Sequence, residues 1–385
     1  MDDQLKATTI PVIKIIGLGG GGSNAIDRMV ELGITGVDFI AANTDHQVLK
    51  TCHAPTKIQL GPSLTRGLGA GGNPEIGLSA AEESQRELKA ALNGADLVFL
   101  TAGMGGGTGT GAISVAARVA RELGAVTVAI VTTPFSFEMR RRAKSAQWGL
   151  DMLKPHCDTL STVPNDKLLS AAAANLPLDI AFRLADDLLR QGIQGITELI
   201  TCPGIINVSY NHLLNQFKSG GGSVLTIGRA SGANKALTAV RQALSHPMLD
   251  EISLDQASSV IANFTGGTGM TFLEVAEALT YLHDHTPVET EVIPGVMNRD
   301  EMGDEVEVIL VVTGLGGEPI LLDTAPVTDN IASVNVANVL MAEARSMPEK
   351  RMQAQQLSSG TSKTTYNPTT TNNLDIPAFL RRKVG

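Results

Sequence analysis

Along the first half of the chain, apolar and polar positions follow a repeating order. A short unbroken apolar run gives way to a glycine cluster, and the cluster to residues with apolar side chains at helical spacing. Runs at 12–19, 37–42, 97–100, 126–132 and 159–163 are short, apolar and followed by turn residues, which predicts buried strands. Stretches at 25–32, 74–92 and 112–123 predict helices between them. Strand, loop and helix thus alternate from residue 12 to about 175. That order predicts a doubly wound, Rossmann-type α/β domain with its loops at one sheet edge, where ligands bind.

A long helix is expected over 178–201. Ile180, Leu184, Leu188, Ile193, Ile196 and Ile200 sit near helical spacing, and Pro203-Gly204 follows its end. Beyond it, strands near 223–227, 258–264, 288–294 and 306–314, with helices at 234–244 and 271–283, predict a smaller α/β domain with a mixed sheet. From Pro319 onward the pattern fades. Between Ser358 and Asn373, twelve of sixteen residues are Ser, Thr or Asn, so this segment cannot offset its ordering entropy and is expected to be disordered. The final stretch differs. Ile376, Phe379 and Leu380 form an i, i+3, i+4 apolar face beside Arg381, Arg382 and Lys383, the pattern of a docking peptide on a tether, or else an untidy terminus.

A length of 385 residues fits two domains, or one large domain with tails. The chain is 43% hydrophobic but only 3% aromatic, which points to the aliphatic core of a helix-covered parallel sheet. A net charge of −9 argues against general nucleic-acid binding. Residues 344–385 hold seven Lys/Arg against two Asp/Glu, so the tail is +5 and the remainder −14. Cys52, Cys157 and Cys202 lie far apart without a CxxC pair and read as buried thiols of a reducing cytoplasm. No metal site built from protein side chains is expected. The first residues do not read as a signal peptide, and no apolar run reaches membrane-spanning length.

The chemistry centres on Gly103-Met104-Gly105-Gly106-Gly107-Thr108-Gly109-Thr110-Gly111, between a strand and a helix. Such a loop lets backbone N–H groups approach phosphate oxygens, while the helix start adds positive potential. It lacks the lysine of a Walker loop. A flexible linker of this composition would lack the buried strand before it and the helix after it. A second run, Gly19 to Asn24, has the same setting. There Gly17, Gly19 and Gly22 satisfy GxGxxG, and the next strand ends in Asn43-Thr44-Asp45, so a dinucleotide-dependent oxidoreductase stays open from this unit alone. A second phosphate-type loop counts against it. The stretch 65–77 is a third glycine-rich loop, or an ordinary surface loop, with a helix expected to begin near Pro74. Arg140, Arg141 and Arg142 either face phosphate or solvate a helix face. Thr265 to Gly269 resembles a small phosphate loop but reads better as a strand-to-helix turn.

Together GGGGSN at 19–24, NTD at 43–45, TRGLGAGGNPEIG at 65–77, TAGMGGGTGTG at 101–111, PFSFE at 134–138, PND at 164–166 and DIPAFLRR at 375–382 resemble the FtsZ branch of the tubulin superfamily. The resemblance covers residues 12–315 and the last ten. It implies a flexible N-terminus (1–11), a GTP-binding domain (12–176), a central helix (177–202), a loop and connecting helix (203–222), a C-terminal domain (223–317), a disordered linker (318–373) and a partner-binding peptide (374–385). It further implies GTP or GDP with Mg2+ as ligands, and head-to-tail filaments of the bacterial division ring at mid-cell.

By the same resemblance, Gly20, Gly21, Gly22, Ala70 and Gly71 line the phosphates, and Gly105, Gly106, Gly107 and Thr108 cradle the β- and γ-phosphates. Asn24, Asn43, Gly103, Gly109 and Pro134 complete the nucleotide site. Glu138 and Arg142 match the ribose-side and phosphate-side positions, and Asn165, Phe182 and Asp186 those at guanine. Asp186 suits guanine on its own chemistry, because a carboxylate accepts from both N1–H and the exocyclic amine. Asp375, Ile376, Pro377, Phe379, Leu380 and Arg381 match a peptide that binds a membrane-anchoring or regulatory division protein.

In this family the next subunit completes the hydrolytic site with a loop of the pattern GLINxDFAD. Here residues 204–212 read GIINVSYNH. Asn207 is kept, while Ser209 and His212 replace two aspartates. GTP hydrolysis is therefore expected to be weak or absent in filaments of this chain alone. His212 could serve as a base, and Asp250 or Glu251 could compensate. A related expectation is co-assembly with a second FtsZ whose intact loop hydrolyses the GTP bound here.

Overall fold

The computed structural model describes residues 11–170, 178–201, 204–206, 208–218, 222–245, 254, 257–267 and 269–315. The elements run β1 (Ile13–Leu18), α1 (Gly19–Glu31), β2 (Asp38–Asn43), α2 (His46–Thr51), β3 (Thr56–Gln59), α3 (Pro62–Thr65), α4 (Pro74–Glu83), α5 (Gln85–Leu92), β4 (Leu97–Gly103), α6 (Thr108–Glu122), β5 (Val126–Thr133), α7 (Arg140–Leu153), β6 (Thr159–Pro164) and α8 (Asn165–Ser170). They continue with α9 (Leu178–Thr201), α10 (Tyr210–Lys218), β7 (Gly222–Ser231), α11 (Lys235–Leu244), β8 (Ser259–Gly266), α12 (Phe272–Asp284), β9 (Glu291–Asn298) and β10 (Glu305–Thr313).

The strands form one sheet in the order β3-β2-β1-β4-β5-β6-β7-β10-β8-β9. From β3 to β6 all pairs are parallel, as the βαβ alternation predicts. β10 runs antiparallel between β7 and β8, so the later part is mixed. The two parts meet where β6 pairs with β7 through Leu160–Gly222 and Ser161–Ser223. The strands expected beyond residue 222 thus continue the first sheet.

Helix α9 spans the residues expected from its apolar spacing. Ala185, Leu189, Ile193 and Ile196 are buried in one core cluster with Ile13 and Phe99 of the parallel part and Ile261 and Ile309 of the mixed part. Gly192 and Gly195 allow a close approach. A Cβ on Gly192 would lie 2.4 Å from Leu225 Cδ1, and one on Gly195 2.2 Å from Ile309 Cδ1. A second aliphatic cluster fills the opposite face of the parallel part under α4, α5 and α6, with Ile113, Val119, Leu88 and Leu92 fully buried. A third lies under α11 and α12, around Val240, Phe264 and Leu282.

Three expectations are corrected. The glycine run at 19–22 is the first turn of α1, not a loop before a helix at Ala25. Each glycine costs a helix about 1 kcal/mol, but burial of Ala25, Ile26 and Met29 on the sheet offsets that cost. The helix expected over 74–92 is two helices. Ser84 breaks it because its Oγ accepts from Gly61 N at 2.9 Å and donates to Gln59 O at 3.3 Å, tying the chain to the end of β3. Cys52 is buried, and its thiol is pushed up to about 11 chiefly by burial. Cys157 is only half-buried by exposure, because Pro155 and His156 keep its turn at the surface. Cys202, the N-terminal ten residues, the expected linker and the terminal peptide 374–385 lie outside the described residues.

Candidate functional site

The parallel strands bring their C-terminal ends to one edge: Leu18, Asn43, Gly103, Thr133 and Pro164. β1 and β4 are neighbours, and the connection after β1 runs toward β2 while the one after β4 runs toward β5, on opposite sides. A crevice forms at such a switch point.

Helices α1 and α6 both start at this crevice. Neither has a side-chain cap, and neither carries an acid in its first turn. By contrast α2, α4 and α12 are capped by Asp45, Asn73 and Thr271. The first N–H groups of α1 and α6 are thus left for an outside acceptor, with the positive ends of both helix dipoles behind them. The two starts touch. A Cβ on Gly19 would lie 2.6 Å from Gly109 N, and one on Gly21 3.2 Å from Gly103 N. Gly20, Gly71 and Gly72 are different, since nothing lies within 4 Å of a Cβ built there. Their backbones border open space.

Two segments wall the Gly103–Gly109 stretch. On one side Gly107 packs against the 66–73 loop, where its Cβ would be 2.9 Å from Ala70 Cβ. On the other, a Cβ on Gly105 would be 2.8 Å from Arg142 O and 3.2 Å from Pro134 Cγ. Thr108 Oγ1 lies 2.6 Å from Thr44 Oγ1, both buried. Arg142 Nη1 pairs with Glu138 Oε2 at 2.6 Å, and Glu138 Oε1 accepts from Phe135 N at 2.9 Å. Of the three consecutive arginines, Arg142 turns toward the glycines while Arg140 and Arg141 are exposed. Met139, between the paired residues, has φ 80° and ψ 150°, a conformation that favours glycine.

Asp186, on α9, lies 3.9 Å from Arg28 Nε on α1. Burial pushes its carboxyl up to about 7; Arg28 opposes the shift and Asp187 adds to it. Arg28 follows Gly20 by eight residues, about 12 Å along the helix. Asn165, at the end of β6, is buried, and its Oδ1 has no protein partner. Asn24 is exposed on α1. Asn43 keeps its side-chain oxygen for its own turn, accepting from Asp45 N at 3.1 Å. The Phe182 side chain lies outside the described residues. Sequence reasoning missed Arg28 and Thr44. Thr44 lay inside a quoted motif, and Arg28 had no signal beyond its place on the helix leaving the first loop.

One end of the crevice therefore offers N–H donors and a guanidinium to an anion. Asp186 supplies a carboxylate and Asn165 an amide oxygen with no protein partner, both acceptors. A guanine nucleotide fits this donor and acceptor set.

The segment after α9 is held on β9. Ile205 N and Ile206 N donate to Val296 O at 2.7 and 3.3 Å, and Val296 N donates to Ile206 O at 3.1 Å. Ser209 is exposed, and its carbonyl accepts from Leu213 N as α10 begins. The loop expected to run to His212 thus ends at Ser209. Tyr210 to His212 are helical because Leu213 and Phe217, one turn apart, are fully buried. His212 Nε2 lies 2.7 Å from Glu291 Oε1, a partner the sequence did not suggest. Asn207, Asp250 and Glu251 lie outside the described residues. The Thr265–Gly269 motif closes on itself: Met270 N donates to Gly267 O at 3.0 Å, and a Cβ on Gly267 would be 2.0 Å from Gly303 O. Among the described residues, no cluster of His, Cys, Asp and Glu could hold a metal, and no helix is long and apolar enough to cross a membrane.

Residues 12–173 match the model of the Tubulin/FtsZ family, GTPase domain, and residues 221–316 that of the FtsZ family, C-terminal domain. Among solved structures, a point mutant of FtsZ from M. jannaschii is 41% identical, with a TM-score of 0.77, over 80% of this chain and 92% of its own. An empty FtsZ dimer from the same organism is 38% identical, also at 0.77, over 84% and 96%. A GTPγS-bound CetZ2 protofilament from Haloferax volcanii shares the fold at a TM-score of 0.68 and 19% identity, over 87% and 100%.

Proposed function

The chain belongs to the FtsZ family, and from that premise we propose that it binds GTP and polymerises head-to-tail, with slow hydrolysis in filaments of itself alone. The observation that carries this reading is the pair of uncapped, glycine-built helix starts that converge at the β1/β4 crevice. Gly20, Gly21 and Gly22 and the Gly105–Thr108 segment hold the phosphates, with Ala70 and Gly71 closing one side. Asn24, Gly103, Gly109 and Pro134 frame them, and Asn43 shapes the neighbouring turn. Arg142 faces phosphate and Glu138 the ribose. Asn165 and Asp186 accept from the guanine edge, and Phe182 stacks on the ring. Mg2+ is held by the nucleotide's own phosphates.

Hydrolysis falls to the adjoining subunit, through Asn207, Ser209 and His212. A positioned base contributes about 10²–10⁴-fold to such a reaction, and serine supplies none near neutral pH. Nucleotide released from the purified protein should be GTP or GDP. Added GTP should bring the protein into the pellet on sedimentation, with phosphate released slowly and above a threshold protein concentration. The double substitution Ser209→Asp with His212→Asp should raise turnover. Absence of guanine nucleotide, or no sedimentation with GTP, would defeat the proposal.

The intact nucleotide face beside an altered loop favours a second reading. On this reading, an alternative to His212 acting as a base, the chain co-assembles with another FtsZ, whose loop hydrolyses the GTP bound here, while Ser209 and His212 spare the partner's GTP. Mixing with such an FtsZ should change turnover and give co-sedimentation. A place at the division ring would come from Asp375, Ile376, Pro377, Phe379, Leu380 and Arg381 docking on a membrane-anchoring or regulatory protein. Deleting residues 374–385 should then abolish recruitment while leaving polymerisation intact.

A further inference from the structure

We propose that Glu291 positions His212 as the base that activates water against the GTP of the adjoining subunit. This rests on the head-to-tail filament proposed above. Glu291 stands 79 residues from His212 in sequence, yet Oε1 lies 2.7 Å from His212 Nε2. Its other oxygen accepts from Gln216 Nε2. His212 and Gln216 are one turn apart on α10, so both carboxylate oxygens are engaged by one helix face. Glu291 is the carboxylate paired with the imidazole.

Both sides of the pair are anchored. Fully buried Leu213 and Phe217 fix α10. The Glu291 backbone donates to Ser258 O at 3.1 Å, and the preceding Thr290 is buried with its Oγ1 donating to Ala257 O at 2.7 Å. The imidazole itself remains partly exposed, with 43% of its side-chain surface free in the single subunit.

The pairing sets the tautomer. An ionised carboxylate only accepts, so Nε2 carries the ring hydrogen and Nδ1 of the neutral ring is left with a lone pair. Nδ1 takes a proton from water as the water oxygen bonds to the γ-phosphorus. The bond from that phosphorus to the β–γ bridging oxygen breaks, and its electron pair leaves with GDP. The products are GDP and inorganic phosphate, and the imidazolium, still paired with Glu291, returns its proton to solvent. Glu291 touches neither nucleotide nor water; it acts through the ring. The chain has exchanged a carboxylate base for an imidazole oriented by a carboxylate.

The test is a double-mutant cycle on full-length filaments, with GTP turnover followed together with sedimentation in a non-hydrolysable GTP analogue. His212→Ala should lower kcat about 10²-fold. Glu291→Gln should lower it about tenfold with KM unchanged, because the nucleotide face of each subunit is untouched. Glu291→Asp should recover part of the loss. The double variant should be no slower than His212→Ala alone, since a positioning group has nothing left to position. Added imidazole should restore turnover to His212→Ala whether or not Glu291 is present. Sedimentation that persists while His212→Ala turns over at the parental rate, or losses that multiply in the double variant, would overturn the assignment and leave the filament standing. No sedimentation of the parental protein with GTP would overturn both.

Discussion

With Asp186 in its proposed place at the guanine edge, its ionisation should make GTP binding depend on pH in a calculable way. Only the carboxylate can accept from both N1–H and the exocyclic amine, and burial holds its pKa at about 7. At pH 8 about nine-tenths of the free protein would carry the carboxylate, and at pH 6 about one-tenth, so affinity should fall about tenfold between them. The nucleotide's own phosphates titrate nearby, so the informative quantity is the wild-type curve divided by that of Asp186→Asn, in which the phosphate contribution cancels. GTP dissociation constants measured by calorimetry across pH 5.5–8.5 should give a ratio with one inflection near 7. At the alkaline end Asp186→Asn should bind about 10²-fold more weakly, for the loss of charge-assisted bonds.

Folding has the opposite sign. The folded-state pKa lies above the unfolded value of 3.8, so the native protein holds the extra proton between about pH 4 and 7. Asp186 therefore destabilises the nucleotide-free protein above pH 7, by at most about 4 kcal/mol, and this cost is relieved as pH falls. Asp186→Asn should melt higher than wild type at pH 8 without nucleotide and lose that advantage near pH 4. Parallel affinity curves for the two proteins, or melting differences of the reverse sign, would refute the role given to this carboxylate.

Three further outcomes follow. Arg28→Ala removes the cation that opposes the Asp186 shift, so the inflection in GTP affinity should move to higher pH in the same titration. Gly111→Ala would place a Cβ 2.0 Å from Pro74 O and 2.4 Å from Leu78 N, both backbone atoms, so α4 and α6 must part. Thermal melting should show a loss of 1–3 kcal/mol or more, on the order expected for overpacking, together with weaker GTP binding because α4 anchors the 66–73 loop. Met139→Gly should stabilise the nucleotide-free protein by about 1 kcal/mol, since φ 80° with ψ 150° strains any residue with a Cβ; unchanged denaturant midpoints would contradict the strain.

The parallel half of the fold was legible because its signal is local. β4 and β5 of that half are buried along almost their whole length and open on apolar-rich runs, and α9 shows its stripe over 24 residues without a break. What failed was local structure overridden by tertiary contact. Periodicity carries 74–92 as one helix, and only the return of β3 beside Ser84 explains the break. Propensity makes Gly19–Gly22 a loop, yet the sheet beneath α1 winds those residues into its first turn. Thr56–Gln59, a strand of four residues at the sheet edge, carries too short a pattern to announce itself.

The two ends of the candidate site differ in the same way. Its phosphate end is made of backbone, and backbone chemistry shows in sequence as glycine, so the motif at 103–111 could be read outright. Its base end is made of single side chains whose partners come from other elements, such as Arg28 of α1 beside Asp186 of α9. The altered loop is the extreme case. A sequence shows that Ser209 and His212 stand where acids are expected, and that registers as a loss. What replaces the acids depends on β9 delivering Glu291 to α10 across 79 residues. An imidazole alone is free to rotate and to hold its hydrogen on either nitrogen. Joined to a carboxylate whose second oxygen is already engaged by Gln216, it presents one nitrogen in one direction. A substitution that removes a charge from a loop need not remove the base, provided the fold supplies the charge from behind.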